Sequence, residues 1–109
     1  MPTYKYTYSG YVEMYDPVYN LGFTRKYFDS YTFYDDLVNE IIDYISDCES
    51  DTDIERELDT FRAELNKHYT AFILQIIRGN YCDYQDSSTF VTESGLEYIV
   101  TIIVNVEEY

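Results

Sequence analysis

The chain has little of what most small-protein chemistries require: no Trp, two Pro, four Gly, two Cys and one His in 109 residues. Cys48 and Cys82 could form one bridge, but nothing in their spacing demands it, and without a CxxC they provide no zinc-ligand pattern. We expect unpaired thiols in a reducing cytoplasm. The sequence also lacks a Gly-rich phosphate loop and a recognisable nucleophile motif. We therefore expect that the protein is not an enzyme and that it has no cofactor, catalytic residue or metal site.

Basic residues are also scarce, because seven Lys and Arg stand against 21 Asp and Glu. A chain with net charge −14 is repelled by nucleic acid and by anionic lipid, so we expect it to bind neither directly. The longest apolar run, Ala71 to Leu74, is too short to cross a bilayer. The N-terminus lacks the basic start and apolar run of a signal peptide. These features predict a cytoplasmic protein.

Aromatic residues are abundant, with fifteen Tyr and six Phe, and 46% of the chain is hydrophobic. Disorder is not expected, since acidic disordered chains contain few aromatic residues. A length of 109 residues gives room for one core. We therefore expect a single domain over residues 1–109.

Alternation of apolar and polar residues predicts four strands, spanning residues 3–14, Phe23–Phe28, Thr89–Glu93 and Leu96–Glu107. The last two form a predicted hairpin across Ser94-Gly95, preceded by a polar link over Asn80–Ser88. The final strand is predicted to be central, because it carries apolar residues on both faces.

Two helices are predicted between the strand pairs. Thr32 is the predicted N-cap of the first helix, which ends near Cys48. A capping box of Thr52 and Glu55 begins the second, and Gly79 follows its end after roughly 27 residues. Its second half, Ala71–Ile77, is apolar nearly all round and is predicted to be buried on most sides. The order ββ-αα-ββ predicts an α+β domain, an antiparallel sheet of about four strands with two helices packed on it.

Most of the negative charge lies in one stretch, Asp29 to Asp59. Twelve acids and one base, Arg56, give this stretch a net charge of −11 out of −14. Such density repels itself unless a positive partner meets it. The acids predicted to contact that partner are Asp36, Glu40, Asp43, Asp47, Glu49, Asp51 and Asp53.

The first four of these acids recur at i, i+4, i+7 and i+11, opposite the apolar stripe of the first helix. Successive charges are about 4.5 to 6 Å apart along the axis. Phosphates of one duplex strand are about 3.4 Å apart, so a cationic groove that binds a phosphate backbone could accept this row. A solvated face that only keeps the protein soluble is the alternative.

The tyrosines are predicted to serve two purposes. Tyr4, Tyr6 and Tyr8 share the core face of the first strand. Tyr11, Tyr15 and Tyr19 fit the core pattern less well and are predicted to contact Arg or Lys of a partner.

Two further features have limited value as ligand sites. His68, the one histidine, is predicted to lie at the core edge of the second helix. The run Asp47–Ile54 has alternating oxygen ligands like a calcium loop, but Thr52 replaces the turn glycine and Leu58 the bidentate glutamate. A small calcium-binding module is therefore a remote alternative.

In its small size, pI near 4.1, dense negative patch and many aromatics, the chain resembles the anti-CRISPR and antirestriction nucleic-acid mimics of phages and mobile elements. The resemblance is one of overall profile, without a shared motif. It implies an inhibitor that occupies the nucleic-acid channel of a host defence nuclease, such as a Cas nuclease. Two alternatives share the same composition: an immunity protein or antitoxin that neutralises a basic nuclease toxin, and a generic acidic interaction module.

Overall fold

A computed structural model describes residues 3–16, 23–49, 54–92 and 95–108 of the chain. The six elements are the strands β1 and β2, the helices α1 and α2, and the strands β3 and β4. In chain order their bounds are Tyr4–Tyr15, Phe23–Tyr31, Tyr34–Cys48, Ile54–Ile77, Tyr84–Val91 and Glu97–Glu108. The predicted α+β fold with ββ-αα-ββ order is confirmed.

The four strands form one antiparallel sheet in the order β2-β1-β4-β3. The first and last strands of the chain are neighbours at its centre, paired from Tyr4 opposite Glu108 to Tyr15 opposite Glu97. Such pairing suits two strands that both carry many β-branched and aromatic residues. The prediction that the last strand is central is confirmed, and β2 and β3 form the two edges.

Both helices pack on one face of the sheet, α1 against β1 and β2, and α2 against β3. Side chains alternate across a strand, so one set of strand residues meets the helices. The most completely buried side chains come from both layers, and they include Val12, Leu37, Ile41, Phe72, Tyr98 and Val100. Tyr8 is also buried, while Tyr4 and Tyr6 are half-buried, as their predicted place on the core face of β1 requires.

One irregularity lies where β1 meets β2. The register shifts between Tyr8, opposite Tyr31, and Gly10, opposite Phe28, so β2 has one extra residue there. Ser30 takes the left-handed conformation at φ 63°, as in a β-bulge. Gly10 lies against β4 so closely that a Cβ atom would be 2.5 Å from the Thr101 carbonyl oxygen. A glycine is therefore required at this position.

Several predicted boundaries are wrong. Residues 84–88, predicted to be part of a polar link, belong to β3. The prediction relied on hydrophobic alternation, whereas an edge strand with one solvated face can carry Asp86 and Ser88 among its inward positions. Thr32 is not the N-cap of α1, because extended Phe33 occupies that position without a side-chain capping bond. The capping residue Thr52 lies outside the described residues.

The end of α2 confirms one prediction and contradicts another. Gly79 has φ 87°, its N–H donates to Ile76 O at 2.9 Å, and the Asn80 N–H donates to Gln75 O at 2.9 Å. These two bonds form the Schellman motif that glycine favours. Ala71–Ile77, however, is not buried on most sides, since Leu74 is 45% and Ile77 73% exposed. Helix α1 is shorter than α2 and does not reach this segment.

Candidate functional site

An exposed row of four carboxylates runs along α1. Asp36, Glu40, Asp43 and Asp47 are all exposed, and we call them the acidic row. Their spacing places them on the side of the helix opposite Leu37, Ile41 and Ile45, which are fully buried. The row spans eleven residues, or about 16 Å at the helical rise. Burial of the apolar stripe thus fixes the direction in which these carboxylates point.

Three of the four bases nearest in sequence to the acidic row, Arg25, Lys26 and Arg62, have other contacts; the fourth, Arg56, is exposed. Arg25 pairs with Glu13 at 2.8 Å and lies over the Tyr11 ring. Lys26 lies over the Phe28 ring, 5.9 Å from its centroid. Arg62 Nη1 donates to Asn39 Oδ1 at 2.5 Å, which joins the two helices beside the row. Among the described residues, no ion pair involves a carboxylate of the acidic row.

Two acids of α2 extend the row across the helix pair. Asp43, Glu55 and Asp59 line a shallow groove of about 170 Å³. Ile42 and Leu58 contribute apolar surface to the same groove. Lys and Arg side chains combine an apolar stem with a charged head, so such a groove suits them chemically. We call the acidic row together with Glu55 and Asp59 the acidic face.

Two aromatic residues that the sequence did not indicate lie near the acidic row. Tyr31, half-buried at the end of β2, has a pKa raised by burial and by the carboxylates of Glu40 and Asp36. Phe33, the residue before α1, is 66% exposed. Exposed aromatic side chains beside charge are typical of protein interfaces. Recognising these two required knowledge of where β2 ends relative to α1.

Glu49 lies immediately after α1, but its carboxylate has an internal partner. Tyr98, fully buried on β4, donates its hydroxyl proton to Glu49 Oε1 at 2.6 Å. Burial and this carboxylate raise the pKa of Tyr98 above its usual value. Glu49 is half-buried and so presents less charge to a partner than the acidic row does.

The structure does not bring Tyr11 or Tyr15 to the acidic face. Tyr11 and Tyr15 share the face of β1 opposite to Tyr8 and Val12, which meet the helices. Tyr11 packs against Tyr27 at a centroid distance of 5.7 Å, and the arginine over its ring is the chain's own Arg25. The other members of the predicted site, Tyr19, Asp51 and Asp53, lie outside the described residues.

His68 forms the centre of a polar cluster between α2 and the edge strand β3. Its Nδ1 contacts Asp86 Oδ2, and its Nε2 lies 3.1 Å from Ser88 Oγ. Tyr84 also donates to Asp86 Oδ2, at 2.9 Å. Partial burial acts to raise the pKa of Asp86, but the hydrogen bonds from His68, Tyr84 and the Ser87 N–H outweigh it and lower the pKa.

A serine, a histidine and a carboxylate that contact one another in this order also form the catalytic triads of hydrolases. The cavity beside the cluster, however, measures about 10 Å³ and is lined mainly by apolar and aromatic side chains. That volume is at the lower limit for one water molecule. The cluster joins α2 to β3, and the cavity beside it has no room for a substrate.

Other candidate sites are limited. Cys48 and Cys82 are both exposed and free. Over the described ranges, no group of three or more His, Cys, Asp or Glu side chains is arranged to hold a metal ion. Neither described helix is sufficiently long and apolar to span a bilayer.

Comparison of the chain with protein-family models, with curated proteins and with solved structures gave no match. Any functional conclusion therefore depends on the geometry and charge of the acidic face.

Proposed function

We propose that the protein inhibits a nucleic-acid-binding protein, such as a Cas nuclease or another host defence nuclease, by occupying its cationic groove. The acidic face would take the place of a phosphate backbone. The observation that supports this most strongly is that the acidic row is exposed, points away from the core and has no ion pair among the described residues.

The electrostatics of α1 support a binding purpose. Asp36–Glu40 and Asp43–Asp47 are like-charge pairs at i, i+4, and each costs a few tenths of a kcal/mol. The last turn of α1 contains no base, so Asp47 faces the negative end of the helix dipole uncompensated. Solubility alone needs far less charge than −14. The repulsion is relieved when a cationic surface covers the row.

The gain on binding has a defined physical source. Lys and Arg that would otherwise contact phosphates meet carboxylates held at fixed spacing by α1, and the ions around both surfaces are released. Ile42 and Leu58, both buried, line the groove beside Asp43, Glu55 and Asp59, in which the stem of one such side chain would lie. Phe33 provides an exposed aromatic contact at the start of the row.

The test is a binding assay against purified CRISPR effectors, restriction enzymes and basic nuclease toxins. We expect at least one nuclease to be bound, with affinity that falls steeply as salt rises and with loss of the complex when excess nucleic acid competes. Binding only to a nuclease toxin would instead favour the antitoxin function. Binding that neither salt nor nucleic acid weakens would contradict charge mimicry.

A pair of charge reversals with a matched control locates the site. Asp43→Lys with Asp47→Lys changes two members of the acidic row, and we expect a loss of affinity of at least about 100-fold. Glu57→Lys with Glu64→Lys makes the same change in net charge on the opposite groove of α2, next to β3. The control pair should retain most of the affinity. Equal losses in both pairs would show that only net charge matters.

A further inference from the structure

We propose that Ser88, His68 and Asp86 form a hydrolytic triad that cleaves small neutral esters at the exposed edge of β3. Ser88 is the nucleophile, His68 is the general base, and Asp86 is a positioning residue. The proposal is independent of charge mimicry by the acidic face. It departs from the expectation that the protein is not an enzyme, because these three residues belong to two elements and no local motif joins them.

The three side chains have the relative positions that nucleophilic catalysis needs. Asp86 and Ser88 are two residues apart on β3, so they share the face of the strand that meets α2. His68 extends from α2 to both of them: its Nδ1 contacts Asp86 Oδ2, and its Nε2 lies 3.1 Å from Ser88 Oγ. A nucleophile and its base act together at about 2.6–3.2 Å, with the base oriented by a third group.

The hydrogen bonds of Asp86 decide which nitrogen of His68 carries the proton. Tyr84 donates to Asp86 Oδ2 at 2.9 Å, and the Ser87 N–H donates to Asp86 Oδ1 at 2.8 Å. An ionised carboxylate only accepts hydrogen bonds, so the neutral ring of His68 donates to it from Nδ1. Nε2 then has a free lone pair and accepts the hydroxyl proton of Ser88. In serine hydrolases, this is the tautomer that withdraws the proton of the nucleophile.

The cluster is reached from solvent at the edge of the sheet. β3 is an edge strand, Ser88 is half-buried, and the side chains of His68 and Asp86 are 35% and 33% exposed. On the inner side, the cavity of about 10 Å³ has no room for an acyl chain. The net charge of −14 repels anionic substrates. These limits define the substrate class as neutral esters with a short acyl group, bound at the solvent side.

A backbone donor lies next to the nucleophile. The Ser87 N–H points away from β4, because it donates to the Asp86 side chain. Backbone N–H groups alternate in direction along an antiparallel strand, so the Thr89 N–H also points away from β4. In α/β-hydrolases, the N–H of the residue after the nucleophile helps to stabilise the oxyanion. The Thr89 N–H is therefore available to the ester oxygen on which negative charge develops.

Each step of the reaction conserves atoms and charge. Ser88 Oγ attacks the carbonyl carbon of the ester while its proton passes to His68 Nε2. The bond from that carbon to the alcohol oxygen breaks, and the alcohol leaves with the proton from Nε2. Nε2 then takes a proton from water, whose oxygen attacks the acyl carbon. Return of this proton to Ser88 Oγ releases the carboxylic acid, so one water is consumed for each ester.

Hydrolysis of p-nitrophenyl acetate, followed by the release of p-nitrophenolate, tests the proposal. We expect Ser88→Ala to lower the rate at least about 100-fold. Ser9→Ala is the matched control and should retain the parent rate, because Ser9 is a half-buried serine of β1 on the opposite face of the sheet. Circular dichroism confirms that both variants are folded. Equal rates in the parent chain and in Ser88→Ala would overturn the proposal.

Covalent labelling of the parent chain gives a measurement that depends on no variant. A fluorophosphonate reacts with an activated serine, and peptide mass spectrometry should place the adduct on Ser88. An adduct spread evenly over the other serines, or no adduct, would reject the proposal.

Two variants separate catalysis from a purely structural role of the cluster. His68→Ala should lose ester hydrolysis, and added imidazole should restore part of it, since a free base can occupy the vacated position. Asp86→Asn should lower kcat with little change in KM, because Asp86 acts on His68 and does not touch the ester. If the loss of activity followed only the unfolded fraction of each variant, without rescue by imidazole, the cluster would be structural and the proposal wrong.

Discussion

Tyr98 and Glu49 join the centre of the sheet to the end of α1 through one hydrogen bond of 2.6 Å. Tyr98 is fully buried, so its hydroxyl needs this acceptor. The bond holds the chain as it leaves α1, two residues after Asp47. A core contact of this kind helps to fix the direction of the last turn of the acidic row.

Tyr98→Phe should lower the free energy of unfolding by about 1.5–3 kcal/mol, the usual contribution of a hydrogen bond to a charged group. Urea denaturation of the variant and the parent chain at neutral pH measures this difference in free energy. Glu49→Gln retains an acceptor oxygen and should cost less. If Tyr98→Phe were as stable as the parent chain, the bond would have no structural role.

The acidic row should cost stability in the free protein. Asp43→Lys with Asp47→Lys exchanges one like-charge i, i+4 pair for another, but it places a base three residues after Glu40 and bases toward the C-terminus of α1, where the helix dipole favours them. We expect the free energy of unfolding to rise by about 0.5–1.5 kcal/mol while partner binding is lost. Thermal denaturation at low salt measures the gain, which should shrink as salt is added. A destabilised variant would show that these carboxylates stabilise the fold.

Gly10 should tolerate no larger residue. Gly10→Ala places a methyl group 2.5 Å from the Thr101 carbonyl oxygen, so β1 and β4 must separate locally. We expect a loss of about 1–3 kcal/mol, as for other overpacked sites. Ser9→Ala changes the neighbouring residue on the opposite face of β1 and is the control. Equal denaturation midpoints for the two variants would contradict the close approach.

Alkaline pH should unfold the protein. Burial is the largest cause of raised pKa at Tyr8, Tyr34, Tyr84 and Tyr98, and it raises the pKa of Tyr84 to about 12. An unfolded tyrosine ionises near pH 10. Between pH 10 and 12 the unfolded chain therefore loses protons that the folded chain keeps, and stability falls. Absorbance at 295 nm should show part of the tyrosines ionising together with unfolding. If all fifteen tyrosines ionised independently near pH 10, this prediction would be wrong.

The Asp86 carboxylate should stabilise the fold at neutral pH and lose this effect in acid. The lowered pKa means that its stabilising contribution is complete above the unfolded value of about 3.9 and is lost as pH falls through the folded value. Asp86→Asn should therefore cost about 1 kcal/mol at pH 7. The difference from the parent chain should vanish in strongly acidic solution. A cost that is independent of pH would indicate a packing effect instead of the hydrogen bonds to His68, Tyr84 and the Ser87 N–H.

Local periodicity was sufficient to predict most elements, because helices and strands differ in the spacing of their apolar residues. It failed for residues 84–88, whose inward positions carry Asp86 and Ser88. Those two side chains contact His68 only because α2 packs against β3, which brings together residues about twenty positions apart. The predicted burial of Ala71–Ile77 failed for a similar reason, since composition does not reveal how far a neighbouring helix extends.

The amino-acid sequence by itself determined the ββ-αα-ββ order, the core face of β1 and the exposed acidic row, because each depends on the spacing of residues close together in the chain. Only the tertiary structure decided that Tyr11 lies away from the acidic row, that Glu49 accepts a bond from Tyr98, and that Glu55 and Asp59 join Asp43. These outcomes depend on strand order and on the relative lengths of packed helices. Both are set by contacts between distant residues, which no local pattern encodes.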